Sequence, residues 1–382
     1  MINIKNSILF IVILSLFCSC NKKTKPGIQE FCKIIYSPEY SSNFKIEGDN
    51  SEDILISVYN PWQGAKNISS ALLINRSGTP IYNPETQILK GNAERIICMS
   101  STHIAMLDAL GEIDKIVGVS GKPYISNEYI LNPENNIPDI GYEGNIDYEK
   151  IIALKPDLLL LFSVNGASSM EPKLKELGIP FLYVGDYLEE DPLGKTEWII
   201  PLAETLGKRE EGIKIFNEIS NRYITLKNEI VNYKKSNGAP DPKVMVNAPF
   251  LDAWFMPSCE SYIAKMISDA GGDYIYKKDT GNTSAPIDME EALKLVSDTD
   301  YWINIGTFNS IEEIKMSLPN FSSLACIKDK RLYNNNYRST PGGGNDCYES
   351  GVINPDLILR DLIKIFHPQL VEDDFTYYHQ LK

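Results

Sequence analysis

Between Lys208 and Lys235 the chain runs without a proline, with Gly212 as the internal breaker. Ile213, Phe216, Ile219, Tyr223, Leu226, Ile230 and Tyr233 follow one another at spacings of three or four, which paints a single apolar stripe on a helix. At 1.5 Å per residue the pattern predicts a helix on the order of 40 Å long. Such a helix runs the length of a molecule rather than sitting inside one lobe, so the chain must place separate masses at its two ends.

The flanks carry those masses. From Arg95 short apolar runs alternate with helical patterns: "RIICMS", then His103 to Leu110, then "KIVGVS", "DLLLLFS" and "PFLYVG". Ile104, Leu107 and Leu110 recur every three residues, with Met106 four before Leu110, so the first of these helices has one apolar face. After the loop "SNGAPDP" the alternation resumes with "KVMVNAP", helices near Ser261 to Ala270 and Met289 to Val296, the strands "YWINIG" and "RLYNNN", and a last helix from Pro355 to Phe366. Gly271 and Gly272 close the first of these helices, and proline just inside the start of the last follows the usual asymmetry of helix ends. Strands alternating with helices imply mainly parallel sheets buried on both faces. The predicted fold class is α/β, with two lobes joined by one rigid helix. Its segments are an N-terminal lobe over 94–192, a helical segment with the inter-lobe helix over 193–240, and a C-terminal lobe over 241–382. Ahead of them, 21–93 reads as a linker and small β-rich extension, from alternating runs such as "DILISVYN" and "ALLINR" between Pro and Gly turns.

Lys5, the apolar run Ile8 to Phe17 and the lysine-rich stretch after "CSC" have the layout of a secretory signal peptide over 1–20. The run is too short to span a bilayer. "FCSC", ending in Cys20, resembles the lipobox of bacterial lipoproteins, in which that cysteine is acylated after cleavage. Two acyl chains would tether the remaining chain to a membrane surface, facing the periplasm or the cell exterior. About 360 residues then remain, enough for two domains with cores of their own. A formal charge of -14 argues against nucleic acid, whose binders need a basic face. Beyond Cys20, the residues Cys32, Cys98, Cys259, Cys326 and Cys347 match no zinc spacing. Export permits some to pair, Cys259 with Cys347 for instance, and an odd number leaves at least one free.

Catalytic signatures are sparse. The chain has no hydrolase elbow, "GGGND" is not a phosphate-binding loop of the Walker type, and no G-x-G-x-x-G follows a strand. Of three histidines, His367 and His379 lie near the C-terminus. His103 opens the helix after the first strand, where capping and packing compete with ligand contact, and Ser100, Ser101 and Thr102 before it suit a helix cap. One histidine within the lobes argues against a bare transition-metal receptor, while carboxylates and tyrosines can still hold iron already chelated by another molecule. Tyr124, Tyr142, Trp254, Phe255 and Tyr348 cluster at predicted strand ends and loops, where α/β sheets bind ligands and large rings can clamp a bulky one. Lys122, Arg338 and the "PGGGND" loop with Asn345 add donors near the same cleft; the glycine run is either an anion cradle or a flexible turn.

In order, "RIICMS", "LDALGEIDKIVGVS", "GNIDYEKIIALKPDLLLL", "KELGIPFLYVG", the long helix and "AGGDYIY" resemble the periplasmic-binding-protein family that serves ABC importers of ferric siderophores, haem and cobalamin. The resemblance covers about Arg95 to Leu370, and "DYEKIIALKPDLLL" is its most specific block. It implies a lipid-anchored, monomeric binding protein rather than an enzyme. Such a protein holds a small-molecule chelate (a ferric siderophore or haem) or a corrinoid between its lobes, needs no cofactor of its own, and hands its cargo to importer membrane subunits. The expected ligand-binding residues are His103, Lys122, Tyr124, Tyr142, Trp254, Arg338, Asn345 and Tyr348. The resemblance also implies importer docking by one surface glutamate per lobe: Glu149 in "NIDYEKIIALKP", and Glu290, ahead of Glu291, in "APIDMEEALKLVSD". The extension with "YNPWQGAKN" and the tail "RSTPGGGNDCYESG" depart from the core pattern. Two other classes stand beside this one: an exported two-lobe enzyme working through His103 and a carboxylate such as Asp346, and an adhesion or scaffold module using the extension.

Overall fold

A computed structural model of the chain describes residues 31–382 apart from 50–51, 80–85, 239, 251–252 and 282. The signal peptide and the lipidation of Cys20 lie outside the described residues.

The predicted long helix is present as Arg209–Asn237, 29 residues, or about 43 Å. Phe216, Ile219, Tyr223 and Ile230 bury the expected stripe. Gly212 does not break the helix. A β-carbon there would come within 2.5 Å of the Ala203 β-carbon, so the glycine lets the long helix close on the helix Ile199–Thr205 of the N-terminal lobe. Further along, Arg222 Nε bonds Asp356 Oδ2 at 2.6 Å and the Tyr223 hydroxyl donates to Asp269 at 2.8 Å, which fixes the same helix to the C-terminal lobe.

In the N-terminal lobe β6 (Ile96–Cys98), β7 (Ile116–Val119), β8 (Leu158–Leu161) and β9 (Phe181–Tyr183) form an all-parallel sheet in the order β7-β6-β8-β9. Every residue of β6 and β8 is buried, as strands covered on both faces require. The C-terminal lobe repeats this order with β12 (Asp273–Tyr274), β10 (Lys243–Val246), β14 (Tyr301–Ile303) and β15 (Leu332–Asn334), and adds β16 (His379–Gln380) antiparallel at the edge. A separate antiparallel pair, β11 (Trp254–Pro257) and β13 (Ser284–Ile287), stands beside it.

The extension is a five-stranded sheet of β1 (Lys33–Tyr36), β2 (Phe44–Gly48), β3 (Ile54–Tyr59), β4 (Ser69–Asn75) and β5 (Gln87–Lys90), antiparallel until β5, which runs parallel to β4. It shares the lobes' core. Phe44 packs on Trp198 with ring centroids 5.0 Å apart, and Trp62 meets Tyr183 edge-on at 5.8 Å. Two buried glutamates of the N-terminal lobe hold it down. Glu197 accepts from the Tyr36 hydroxyl and the backbone amides of Glu39, Tyr40 and Ser41, and Glu189 accepts from Ser41, Asn43 and the Trp198 indole.

Cys32, Cys98, Cys259, Cys326 and Cys347 are all free thiols. Cys259 does not pair with Cys347. Cys259 Sγ bonds the Asp279 carbonyl at 3.1 Å, and buried Cys347 lies 3.7 Å from Asn335 Nδ2.

Candidate functional site

The carboxyl ends of the C-terminal lobe's strands face the N-terminal lobe across a cleft of about 560 Å³. Three adjacent parallel strands each deliver an asparagine to it: Asn247 follows β10, Asn304 follows β14 and Asn335 follows β15. Asn247 (φ 63°) and Asn304 (φ 54°) take left-handed backbone, which asparagine tolerates and which turns the chain away from the sheet. The Tyr378 hydroxyl donates to Asn304 Oδ1 at 2.8 Å, so the amide NH₂ of Asn304 is left facing the cleft. Ser261, Tyr262, Thr283 and Tyr348 complete this wall; Thr102, Tyr187, Lys195 and Gln63 line the other.

Charge enters through Lys195. Its ammonium stands 5.0 Å over the ring of Tyr262, on the opposite lobe, and no carboxylate among the described residues comes within ion-pair distance. Burial lowers its pKa, opposed by the fields of Asp186 and Glu189. Asp186 is buried behind it, held by Thr102 Oγ1 at 3.4 Å, and burial raises its pKa. A half-buried cation among amides, hydroxyls and phenols can orient an anionic group on an otherwise uncharged, hydrogen-bonding ligand. Among the described residues no three or more His, Cys, Asp and Glu side chains converge to hold a metal ion.

Of the eight expected ligand contacts, Tyr348 lines this cleft. Trp254 does not: it is 0% exposed, packed against the tilted rings of Trp302 and Phe321, with its indole N–H on the Val246 carbonyl. The residue lies on a strand whose alternation turns Trp254 inward and leaves Phe255 outside. His103 is also 0% exposed, and burial holds its pKa down at about 3, so it is a neutral core side chain with no surface for a ligand. The cap expected there is present: Ser100 Oγ accepts from the Thr102 amide. Lys122 turns back to the Ile137 carbonyl at 2.6 Å, Tyr142 sits exposed on a turn away from the cleft, and Asn345 accepts from the Cys347 amide at 3.0 Å as a local cap. The enzyme pairing of His103 with Asp346 fails on the same geometry, since Asp346 bonds Arg338 in a different groove.

That second groove, about 620 Å³, holds Arg338 and runs between the lobes along another edge. The glycine run beside it has a steric role. A β-carbon on Gly342 would fall 2.2 Å from the Pro123 carbonyl oxygen, so the run allows this loop to lie against the "KPYIS" loop of the other lobe, where Tyr124 also packs near Gly343. Glu349, 2% exposed, seals the contact by accepting from the Ser126 amide at 2.7 Å. Burial, reinforced by the charges of Asp346 and Asp108 and opposed by the Ser126 and Asn127 amides, raises its carboxyl to about 7. With the folded value above the unfolded one, the net contribution of Glu349 to stability is fully present below the ordinary carboxylate range and is lost as pH rises through about 7. Urea unfolding at pH 5 and pH 8 should therefore show wild type losing about 2–3 kcal/mol more than Glu349→Gln over that interval. Equal losses would mean that Glu349 is ionised in the fold.

Sequence reasoning missed Asn247, Asn304 and Asn335, although a signal was present: each lies within two residues of the end of an apolar run in a predicted strand. Lys195 carried no comparable signal, because its position depends on packing between the lobes.

A family model described as periplasmic binding protein matches residues 96–334. An uncharacterised lipoprotein of Methanocaldococcus jannaschii is 28% identical over 295 residues, covering 74% of this chain and 67% of its own. A vitamin B12-binding protein of Vibrio parahaemolyticus is 28% identical over 142 residues, 36% of this chain and 49% of its own. Among solved structures, a periplasmic haem-binding protein from Pseudomonas aeruginosa superposes with TM-score 0.58 at 18% identity, covering 76% of this chain and 98% of its own.

Proposed function

Since the chain belongs to the periplasmic binding protein family, we propose that it is the lipid-anchored solute receptor of an ABC importer, binding an iron complex (a ferric siderophore or haem) or a corrinoid between its lobes and performing no chemistry on it. The cleft of about 560 Å³ at the strand ends carries this reading, because both lobes line it with amide, hydroxyl and phenol side chains and a lysine. The resemblance to a haem-binding structure and to a B12-binding relative supports the same ligand classes. The anchor is Cys20, and the lipoprotein relative supports that assignment. Glu149 and Glu290 are the docking residues. Each lies exposed, two residues after an aspartate cap, on a helix leading into the third strand of its lobe's shared order.

The direct test is titration of residues 21–382, which carry every described contact, with cyanocobalamin, haem and a panel of ferric siderophores, followed by calorimetry and tryptophan fluorescence. Trp198, Trp254 and Trp302 are fully buried, so Trp62, beside the cleft, is the expected reporter. Tight one-to-one binding of one probe establishes the receptor and names its cargo; silence from a folded protein across the panel rejects it. Lys195→Met sorts the classes. A carboxylate-bearing haem or chelate should lose about 1–3 kcal/mol, or roughly 5- to 150-fold in affinity, whereas a corrinoid, whose side chains are carboxamides and whose one anionic group is the phosphodiester of its nucleotide loop, should lose less.

A further inference from the structure

The loop between β3 and β4, residues 60–68 with the sequence "NPWQGAKNI", belongs to the extension and precedes the region that the family model matches, yet it reaches the ligand cleft. Gln63 and Thr283 line both that cleft and a side groove of about 430 Å³, so the two spaces meet at these residues. The loop's backbone is pinned. Asn60 and Asn67 take left-handed conformations near its ends (φ 47° and 57°), and the Asn60 amide bonds the Ile68 carbonyl at 2.8 Å. Trp62 is wedged against Tyr183, and the Gln63 amide donates to the Tyr187 hydroxyl at 3.2 Å. Tyr187 itself lines the cleft. The backbone of Gln63 is thus fixed from the N-terminal lobe, while its exposed side-chain carboxamide makes no hydrogen bond to the described residues.

We infer that this loop is a third wall of the ligand cleft, with Gln63 a specificity-determining contact, and that the side groove receives an arm projecting from the ligand's core. This rests on the cleft being the ligand site. The groove's chemistry indicates the kind of arm. Asn60 Oδ1 is a buried acceptor without a partner among the described residues, and Glu190, 3.8 Å from Lys265, and Asp191 add oxygen acceptors around it. The arm is accordingly a hydrogen-bond donor, a hydroxyl, amide or ammonium group, and not an anion. A polar ligand composed of a bulky core alone would leave these acceptors unused.

The test compares wild type, Gln63→Ala, Gln63→Trp and, as a control on an exposed side chain of the same loop that lines neither space, Lys66→Ala, all as residues 21–382. Each is titrated by calorimetry with cyanocobalamin, haem and ferric siderophores, and its melting temperature is recorded. For the probe that wild type binds, Gln63→Trp should weaken affinity at least tenfold and Gln63→Ala two- to fivefold, with Lys66→Ala at the wild-type value and all melting temperatures unchanged. Wild-type affinity in both Gln63 variants would overturn the third wall while leaving the cleft intact. No binding of any probe by folded wild type would overturn the cleft reading and this inference with it.

Discussion

Glu197→Ala is expected to lower the stability of the protein by about 3–5 kcal/mol and to expose the extension to protease. Glu197 is 0% exposed and its carboxylate is the acceptor for the Tyr36 hydroxyl at 2.6 Å and for three successive backbone amides, Glu39 at 2.8 Å, Tyr40 at 2.9 Å and Ser41 at 2.8 Å. Alanine leaves a hydroxyl and three amides, partly or wholly buried, without an acceptor. Each costs about 1–3 kcal/mol, partly relieved by water that enters the space vacated. Glu197→Gln keeps the volume but offers one acceptor oxygen in place of two and turns an NH₂ toward the donors, so its loss should be intermediate. Thermal unfolding combined with limited proteolysis of the 33–90 sheet checks both. A wild-type melting temperature in Glu197→Ala would mean that aromatic packing, Phe44 on Trp198 and Trp62 on Tyr183, holds the extension unaided.

Glu149→Ala combined with Glu290→Ala should reduce importer-dependent uptake at least about a hundredfold and leave ligand affinity unchanged, because truncating one partner of a buried, hydrogen-bonded charge pair at an interface costs about 2–5 kcal/mol. The two sites are built alike. "IDYE" and "IDME" each place aspartate at the cap, Asp147 accepting from the Lys150 amide at 2.9 Å and Asp288 from the Glu291 amide at 2.8 Å, and each puts its glutamate at the second helical position. Burial of Ile151 on one helix and of Ala292 and Val296 on the other turns these glutamates outward. Helix-dipole stabilisation accounts for about 0.3–1 kcal/mol at each and for no requirement in transport. Both glutamates have a lysine partner, Glu290 with Lys294 on its own helix and Glu291 with Lys278, but Glu291 is half-buried and is the weaker choice. Uptake assays in cells alongside calorimetry on the purified variants separate the two effects. Undiminished uptake by the double variant would discard the docking assignment.

Much of the fold was legible because its signals are local. Buried parallel strands must be apolar throughout, as "LLLL" at β8 is, and an inter-lobe helix must carry an unbroken stripe, as Arg209–Asn237 does. The site was less legible. Trp254 and His103 have residue types suited to a ligand and lie at expected strand and helix ends, but strand alternation turns one inward and the covering of the first helix seals the other. The "PGGGND" loop allowed two local readings, and its actual role, close approach to the loop around Pro123, depends on a partner more than two hundred residues away.

By itself, the sequence determined two α/β lobes, the helix joining them, the strand-rich extension and the cap-plus-glutamate pattern at Glu149 and Glu290, since each follows from periodicity or from hydrogen bonds between residues a few positions apart. Only the tertiary structure decided which side chains face the cleft. Lys195 over Tyr262, the three asparagines on adjoining strands and Gln63 at the rim are neighbours through strand order and lobe packing, and those long-range contacts leave no period in the chain.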